Sequence, residues 1–174
     1  KTESRYRQTL RQEMPPLRFL EVIEEAQSYL HSAFPNSKAA IYAERRGLYS
    51  PEAHEHGAGH GNAAAFLKMV KEGRAALEEL EQYGLIWRRG KTRFGSVLED
   101  RLTAPLYVRY GDEWLLTNFY GRRLWFGPRE KEPKEHRHHK VDTGFPQGAF
   151  NPQVLEDPGL GRIVLTESVI DALS

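Results

Sequence analysis

The apolar residues change their spacing at Gly84, and this change constrains the fold more than any other feature of the sequence. Before Gly84, apolar side chains recur at intervals of three and four, most clearly over residues 17–34, which predicts amphipathic helices. After Gly84, short apolar or alternating runs at 85–87, 102–109 and 113–120 predict strands. The chain is therefore predicted to be an α+β protein, with a helical N-terminal half followed by a mixed or antiparallel sheet.

Glycine and proline set the limits of the other predicted elements. Further helices are predicted at 38–46, 63–71 and 74–83, and Gly84 ends the last of them. Pro105 lies inside a predicted strand, where its missing N–H favours a sheet edge or a bulge. Loops rich in proline, glycine or charge are predicted at 127–139 and 141–160.

Residues 161–174 carry a separate pattern at the end of the sequence. The apolar run at 163–165 predicts a short buried strand, and Glu167 falls where that strand should end. Ser168 and Asp171 form a Ser-x-x-Asp pattern that resembles a helix capping box. A carboxylate is thus predicted at the carboxyl end of a strand, the edge where open α/β sheets bind ligands. From its position alone, Glu167 would more often be an ordinary acidic residue at a helix start.

Charge is unevenly distributed along the chain, although its formal net charge is only +1. Residues 88–140 carry 13 basic and 7 acidic side chains, whereas residues 141–174 carry one basic and five acidic side chains. A basic central segment followed by an acidic C-terminal segment is typical of a protein that binds a polyanion together with a divalent cation. The alternative is a solvated surface with ordinary variation in charge.

Missing residue types and interrupted patterns exclude several kinds of site. The chain contains no cysteine, which excludes disulfides and cysteine-ligated zinc within it and favours a cytoplasmic setting. No apolar run approaches the ~18 residues of a membrane span, so no membrane partner is expected. Two histidine groups are not expected to bind metal, because glycines interrupt one and the other lies in a charged loop. These groups are His54, His56 and His60, and His136, His138 and His139.

Basic residues recur at predicted strand ends and turns. At such positions guanidinium and ammonium groups can reach phosphate oxygens. Taken singly, each of these residues is more often a surface residue that aids solubility. The candidates are Arg46, Arg101, Arg122 and Lys140.

In order and spacing, these segments resemble the RNA polymerase domain of bacterial DnaG-type DNA primases, from about residue 20 to the C-terminus. The string at 166–174 resembles the first motif of TOPRIM domains, the metal-binding fold of primases, topoisomerases and some nucleases. Five departures from the family pattern indicate a divergent, plasmid- or phage-type member. They are Ala104, Asn118, Tyr120, Thr143 and Ser168. The other matching segments are Tyr42 to Leu48 with Ser50, Leu80 to Leu85, Arg101 to Leu106, Asn118 to Arg122 and Lys140 to Thr143.

The resemblance implies a domain organisation and an activity. Residues 1–84 would be the mainly helical part of the N-terminal subdomain, 85–158 its basic β-rich part, and 159–174 the truncated first β-α unit of a TOPRIM-like domain. The full-length parent would be a DNA-directed RNA polymerase that makes short RNA primers on single-stranded DNA by metal-dependent nucleotidyl transfer. Since the family's Asp-x-Asp pair does not appear before Ser174, this fragment is expected to be inactive by itself.

The resemblance also implies the site residues, the cofactor and the partners. Glu167 would be the catalytic residue and a ligand of Mg²⁺ or Mn²⁺, with Asp171 as a second candidate ligand. The implied partners are a single-stranded DNA template, ribonucleoside triphosphates and a replicative helicase. The family's cysteine-based zinc-binding module is not part of this chain. The residues that would contact template or nucleotide phosphates are Arg46, Arg101, Arg122 and Lys140.

The sequence leaves two other functions open. A TOPRIM nuclease or topoisomerase would share Glu167 but not the basic series that precedes it. A non-catalytic module for single-stranded nucleic acid would use aromatic side chains to stack on bases. Packing within the sheet is the favoured role for those aromatic residues, which are Trp87, Trp114, Tyr120 and Trp125.

Overall fold

A computed structural model of the chain describes residues 13–48, 50–89, 93–128, 131–133, 137–159 and 169. These residues form an α+β fold, which confirms the predicted fold class. None of the helices among them is long and apolar enough to cross a membrane. The helices are α1 (Leu17–Ser32), α2 (Lys38–Arg45), α3 (Ser50–Glu55), α4 (Ala63–Lys71) and α5 (Leu77–Gln82), with a 3₁₀ helix at Pro152–Glu156. The strands are β1 (Gly59–Gly61), β2 (Ile86–Arg89), β3 (Arg93–Ser96), β4 (Arg101–Tyr110), β5 (Glu113–Arg123) and β6 (His138–Lys140).

Helix α1 supplies much of the first hydrophobic core. Its apolar residues recur at three and four as the sequence predicts, and Phe19, Ile23 and Leu30 are fully buried. The helix packs on α4, β1 and β5, and Phe19 meets Tyr83 edge-on with ring centroids 5.0 Å apart. Burial of side chains of this size contributes roughly 1.5–3 kcal/mol each. This core therefore joins the helical half of the chain to the sheet.

Helix α2 covers a second core. Ser37 caps the helix, since its hydroxyl accepts hydrogen bonds from the backbone N–H groups of Ala39 and Ala40 at 3.1 and 3.3 Å. After the helix ends at Arg45, Gly47 adopts φ +81°, the left-handed conformation that glycine favours at this position. The helix packs on β1 and β4. Residues of this second core include Tyr42, Ala43, Leu102, Leu106 and Tyr120.

A four-stranded antiparallel sheet runs between the two cores in the order β1-β4-β5-β6. Consecutive residues of β5 show this arrangement, because Phe119 packs into the first core and Tyr120 into the second. The β4–β5 register shifts between Leu106 and Tyr107, and β1 pairs only with the start of β4. Pro105 thus lies beside a bulge and beyond the end of β1, as its missing N–H predicts.

Three short strands were not predicted, and each has a local reason. Glycines at 59 and 61 weaken the strand signal of β1, yet the structure requires them: a Cβ at Gly61 would stand 2.1 Å from the Leu98 carbonyl oxygen. Strands β2 and β3 form a separate antiparallel pair. Strand β3 contains Gly95, and the side chain of Trp87 on β2 lies over this glycine. Strand β6 consists of His-His-Lys, so the loop predicted at 127–139 is wrong at its end.

The limits of the predicted helices are mostly confirmed. Residues 17–34, 38–46 and 63–71 contain α1, α2 and α4. The helix predicted at 74–83 begins three residues late, at Leu77, because Ala76 has an extended backbone. The backbone N–H of Ala76 donates a hydrogen bond to the Glu79 side chain at 2.7 Å. This local hydrogen bond satisfies a donor at the helix start and so defines that start.

The predicted TOPRIM segment lies almost wholly outside the described residues. Of residues 159–174, the structure describes only Gly159 and Val169. Val169 is helical and packs on the second core. Glu167 and Asp171 fall outside the described residues, so their positions stay predictions.

Candidate nucleic-acid interface

Strand termini bring basic residues together at one end of the main sheet. Strand β4 begins at Arg101, and the antiparallel β5 ends at Arg123. Strand β6, antiparallel to β5, begins at His138. Because neighbouring antiparallel strands run in opposite directions, these termini meet at the same end. We call this region the basic end of the sheet and define it as Arg101, Arg122, Arg123, His138 and Lys140.

Arg101 and Arg123 lie directly opposite each other in the β4–β5 pair, so two basic side chains share one face of the sheet. Arg101 is half-buried, and burial, followed by the nearby charge of Arg123, lowers its pKa. The Arg101 side chain lies over Gly121, where an added Cβ would stand 2.7 Å from Arg101 Cδ. Gly121 therefore provides the space for this arginine. A bound anion would relieve the repulsion between the two cations.

Arg122 belongs to the opposite face of the sheet, because side chains alternate along a strand. Its side chain is only 4% exposed, and its Nη2 donates to both carboxylate oxygens of Glu132, at 2.6 and 2.9 Å. Its Nε donates to the Tyr42 hydroxyl at 3.1 Å, and its Nη1 lies 2.8 Å from His138 Nε2. Arg122 is thus the centre of a buried cluster that joins α2, β5 and β6.

His138 completes this cluster as a neutral hydrogen-bond acceptor. A guanidinium group has no acceptor atom, so His138 Nε2 must accept the hydrogen bond from Arg122 Nη1. The proton of the neutral ring then resides on Nδ1, which donates to the Tyr120 hydroxyl at 2.5 Å. The His138 ring is therefore held at both nitrogens, on the same face of the sheet as Arg122.

Glu132 is a buried residue that the sequence did not indicate, because it lies in a charged stretch predicted to be an exposed loop. Its side chain is 3% exposed. A second guanidinium approaches it, with Arg137 Nε 3.4 Å from Glu132 Oε2 and Arg137 Nη2 donating to the Glu132 carbonyl at 3.3 Å. Two cations around one carboxylate offset the cost of removing that charge from water.

Two more of the predicted phosphate contacts lie on the Arg122 side of the sheet. Lys140 is exposed and pairs in register with Tyr120, which places it on the same face as Arg122. Arg46 is half-buried at the C-terminus of α2, four residues and thus about one helical turn after Tyr42. The structure therefore brings Arg101, Arg122 and Lys140 to one end of the sheet but divides them between its faces, with Arg101 on the other side.

An exposed aromatic residue, Phe126, adjoins this region and was not predicted to have a role. Its side chain is 43% exposed. Arg45 Cζ lies 5.5 Å from the centroid of its ring, and the Tyr42 ring meets it edge-on at 6.1 Å. Trp125, predicted to pack within the sheet, packs against the second core and donates its Nε1 proton to the Pro128 carbonyl at 3.0 Å.

The described residues do not fit a bound Mg²⁺ or Mn²⁺. Over these residues, no group of three or more His, Asp or Glu side chains is placed to hold a metal ion. In the first histidine group, His54 stacks on His31 with ring centroids 3.8 Å apart. The predicted ligands Glu167 and Asp171 belong to the part of the chain that is not described.

No protein-family model matches the sequence, and no curated protein matches it. Several solved structures have a similar fold. The RNA polymerase domain of Mycobacterium tuberculosis primase DnaG is 21% identical, and the match covers 78% of this chain and 42% of that chain with a TM-score of 0.57.

Two further structures agree with this match. The same M. tuberculosis domain in complex with a double-stranded DNA oligomer with a 6-nucleotide overhang matches with 21% identity over 78% of this chain and 40% of that chain, at a TM-score of 0.56. The zinc-binding and RNA polymerase domains of Aquifex aeolicus primase match with 16% identity over 71% of this chain and 29% of that chain, at a TM-score of 0.55. The chain thus spans less than half the length of these structures. Its described part has a primase-like fold, shared with the RNA polymerase domains of these primases.

Proposed function

We propose that the chain is the template- and nucleotide-binding part of a DNA primase. In this proposal the full-length parent makes short RNA primers on single-stranded DNA by metal-dependent nucleotidyl transfer, and residues 159–174 begin its TOPRIM domain. The observation that carries the proposal is the basic end of the sheet, where strand termini collect cations in a primase-like fold. Concentrated positive charge of this kind attracts the phosphates of a nucleic acid.

Arg46, Arg101 and Lys140 are proposed to contact phosphates of the template or of an incoming ribonucleoside triphosphate. Lys140 is exposed, and Arg101 and Arg46 are half-buried, so each has side-chain surface that a ligand can reach. The register pairing of Arg101 with Arg123 places two cations on one face of the sheet, which supports anion binding there.

Arg122 is proposed to act mainly by fixing the geometry of this region. Its donors are engaged by Glu132, Tyr42 and His138, so a phosphate would reach it only by displacing the Glu132 carboxylate. In its present contacts Arg122 holds α2 against β5 and thereby sets where Arg46 lies relative to the sheet. Its predicted role as a direct phosphate contact stays untested.

The metal-dependent step belongs to the parent protein in this proposal. Mg²⁺ or Mn²⁺ would supply charge neutralisation at the reacting phosphates. Glu167 would be the catalytic carboxylate and a ligand, with Asp171 as a second candidate. The described residues would contribute binding and orientation of the phosphates. We therefore expect the chain to bind template without making primers by itself, and we propose a replicative helicase as a partner of the parent.

A non-catalytic module for single-stranded nucleic acid is the second candidate function. The same basic end of the sheet favours it, because phosphate binding needs no metal site. Nucleotide incorporation separates the two candidates: a longer form that includes the sequence after Ser174 should extend primers with ribonucleotides if the chain belongs to a primase. If the longer form binds template but incorporates no nucleotides, the result would favour the non-catalytic binding module over the primase.

The experiment that tests the shared part of both candidates is single-stranded DNA binding as a function of salt. We expect the affinity of the 174-residue chain for a labelled oligonucleotide to fall steeply with salt concentration. Arg46→Ala and Lys140→Ala should each reduce the slope by about 0.7, the value for one lost phosphate contact on a single strand. Failure of the chain to bind single-stranded DNA would overturn the proposal.

Lys68→Ala is the matched control for Lys140→Ala. Lys68 is also exposed, but it lies on α4 with its Nζ 3.9 Å from Glu72 and 5.6 Å from the Tyr29 ring. Its removal should leave the salt slope unchanged. Equal losses for the two lysines would show that binding follows net charge rather than the basic end of the sheet.

A further inference from the structure

Phe126 is an exposed aromatic side chain in a basic setting. Arg45, the last residue of α2, has its Cζ 5.5 Å from the centroid of the Phe126 ring. Arg46 is the next residue in the sequence. A guanidinium over an aromatic ring is a cation–π contact, and Arg45 is itself exposed to solvent, where a second flat group can stack on it. Aromatic and arginine surfaces of this type stack on bases in proteins that bind single strands.

The position of Phe126 is fixed by contacts on both sides. The Tyr42 ring meets Phe126 edge-on, and the Tyr42 hydroxyl accepts a hydrogen bond from Arg122. In the chain itself, Trp125 lies over Gly127 and donates to the Pro128 carbonyl. These contacts hold the exposed ring at a defined place beside the basic end of the sheet, so little conformational entropy would be lost when a ligand stacks on it.

Trp87 provides an internal comparison. It is 48% exposed, close to the 43% of Phe126, and lies over Gly95 of the β2–β3 hairpin. Its neighbour Arg88 is bound to Glu81 at 2.7 Å and Glu78 at 3.3 Å. The charge of Arg88 beside Trp87 is therefore compensated by acids, whereas the Arg45 guanidinium lies over the Phe126 ring. This positive charge favours the approach of a polyanion to Phe126.

We propose that Phe126 and Arg45 form a stacking site for one unpaired nucleobase of single-stranded DNA, next to the phosphate contacts of the basic end of the sheet. This inference rests on the proposed function, because it assumes that the chain binds single-stranded DNA. It adds a contact to the base, which stacks on the ring or on the guanidinium above it. The site recognises a flat base of any identity, since every base presents a π face.

Two oligonucleotides of equal length and charge test the inference, one with bases and one with abasic sugars. Both retain the phosphates, so the ratio of their affinities isolates contacts to bases. Phe126→Ala should weaken binding of the base-containing strand about five- to tenfold, the lower part of the range for loss of one base–aromatic stack. It should leave binding of the abasic strand unchanged, and Trp87→Ala should leave both affinities unchanged.

A second variant provides a readout that does not depend on lost affinity. Phe126→Trp retains an aromatic surface, and its added fluorescence should be quenched by the base-containing strand and not by the abasic strand. Phe126→Leu keeps apolar volume without a π face and should behave like Phe126→Ala. Circular dichroism of each variant checks that its fold is intact.

The outcomes separate this inference from the function on which it rests. If neither oligonucleotide binds the wild-type chain, the proposed function fails and the stacking site fails with it. If the wild-type chain binds both but Phe126→Ala changes them equally, phosphate binding stands and the stacking site is refuted. An equal effect of Trp87→Ala would refute the assignment to Phe126, because it would show that any exposed aromatic residue contributes.

Discussion

The two ends of strand β4 carry the same residue type in opposite electrostatic settings. At one end, exposed Arg109 pairs with Glu156 at 3.3 Å and with Asp112 at 3.7 Å, and its guanidinium lies 5.9 Å from the Trp114 ring. At the other end, half-buried Arg101 lies opposite Arg123. Acids thus compensate the charge at the Arg109 end, whereas like charges are brought together at the Arg101 end.

The comparison teaches that a candidate ligand-binding surface is marked by where strand register brings like charges together, and less by the number of basic residues. Two acids near the basic end of the sheet have cationic partners of their own. Glu132 is buried against Arg122, and Asp100 pairs with Lys38 at 3.9 Å. The phosphates of a nucleic acid would bring negative charge to the face that Arg101 and Arg123 share.

The largest expected effect comes from removing the buried carboxylate at the basic end. Glu132→Ala leaves Arg122 buried without its ion-pair partner and should lower the free energy of unfolding by about 3–5 kcal/mol. Glu156→Ala removes the partner of Arg109 at the opposite end, where the pair is exposed, and should cost less than about 1 kcal/mol. Urea denaturation measures both.

Equal stability losses for these two variants would contradict the contrast between a buried and an exposed ion pair. A replacement of both buried partners, Arg122→Met with Glu132→Leu, sharpens the test. Because the double variant no longer buries the Arg122 charge without its carboxylate partner, it should be more stable than Glu132→Ala.

The next effect concerns the space that Gly121 provides for Arg101. In Gly121→Ala the new Cβ would displace the Arg101 side chain, which lies 2.7 Å from its position. We expect single-stranded DNA to bind about tenfold more weakly, since a charged hydrogen bond contributes roughly 1.5–3 kcal/mol and 1.4 kcal/mol is tenfold. Fluorescence anisotropy with a labelled oligonucleotide measures the change.

Gly111→Ala is the control at the other end of the β4–β5 hairpin. Gly111 has φ +62° with no atom within 4 Å of an added Cβ, so the substitution strains the backbone without touching Arg101. It should cost about 1 kcal/mol of stability and leave DNA binding unchanged. A loss of binding in both variants would mean that Gly121→Ala acts through stability and not through Arg101.

The smallest expected effect is a pH dependence that arises away from both ends of β4. Burial, followed by the charge of His54, lowers the pKa of His31 below its ordinary value of 6.5. The neutral ring is favoured in the folded state, so its contribution is fully present above pH 6.5 and is lost as the pH falls below that value. Stability should therefore decline as the pH falls below 6.5.

Urea midpoints between pH 7.5 and 5 test this expectation. His31→Phe retains a flat ring against His54 but does not titrate, and should show a smaller decline than the wild-type chain. Identical declines in the two proteins would assign the pH dependence to other groups.

The sequence predicted those elements whose side chains repeat with a clear period. Helix α1 follows from its apolar stripe, strand β4 from a largely apolar run, and strand β5 from alternation at 113–120. Strand β1 was missed because its glycines serve a close backbone approach to Leu98 and Leu30, which a local pattern does not reveal. Strand β1 therefore forms because of long-range packing, although its residues have a low intrinsic preference for strands.

The arrangement of the predicted basic residues could not be read from the sequence, and their roles stay predictions. Arg101, Arg122 and Lys140 reach one end of the sheet, yet strand register places Arg101 on a different face from Arg122. The burial of Arg122 depends on Glu132, which lies in a charged stretch without any apolar pattern. Phe126 had no sequence signal, because its exposure and its contact with Arg45 exist only in the folded chain.

The central claim is that the cations gathered at the basic end of the sheet bind single-stranded DNA. The most direct test compares Arg101→Ala with Arg109→Ala, two removals of the same charge from the same strand, by affinity for single-stranded DNA over a range of salt concentrations. We predict that Arg101→Ala weakens binding about tenfold and reduces the salt slope by about 0.7, while Arg109→Ala changes neither. Equal effects of the two substitutions, or a larger effect of Arg109→Ala, would contradict the claim.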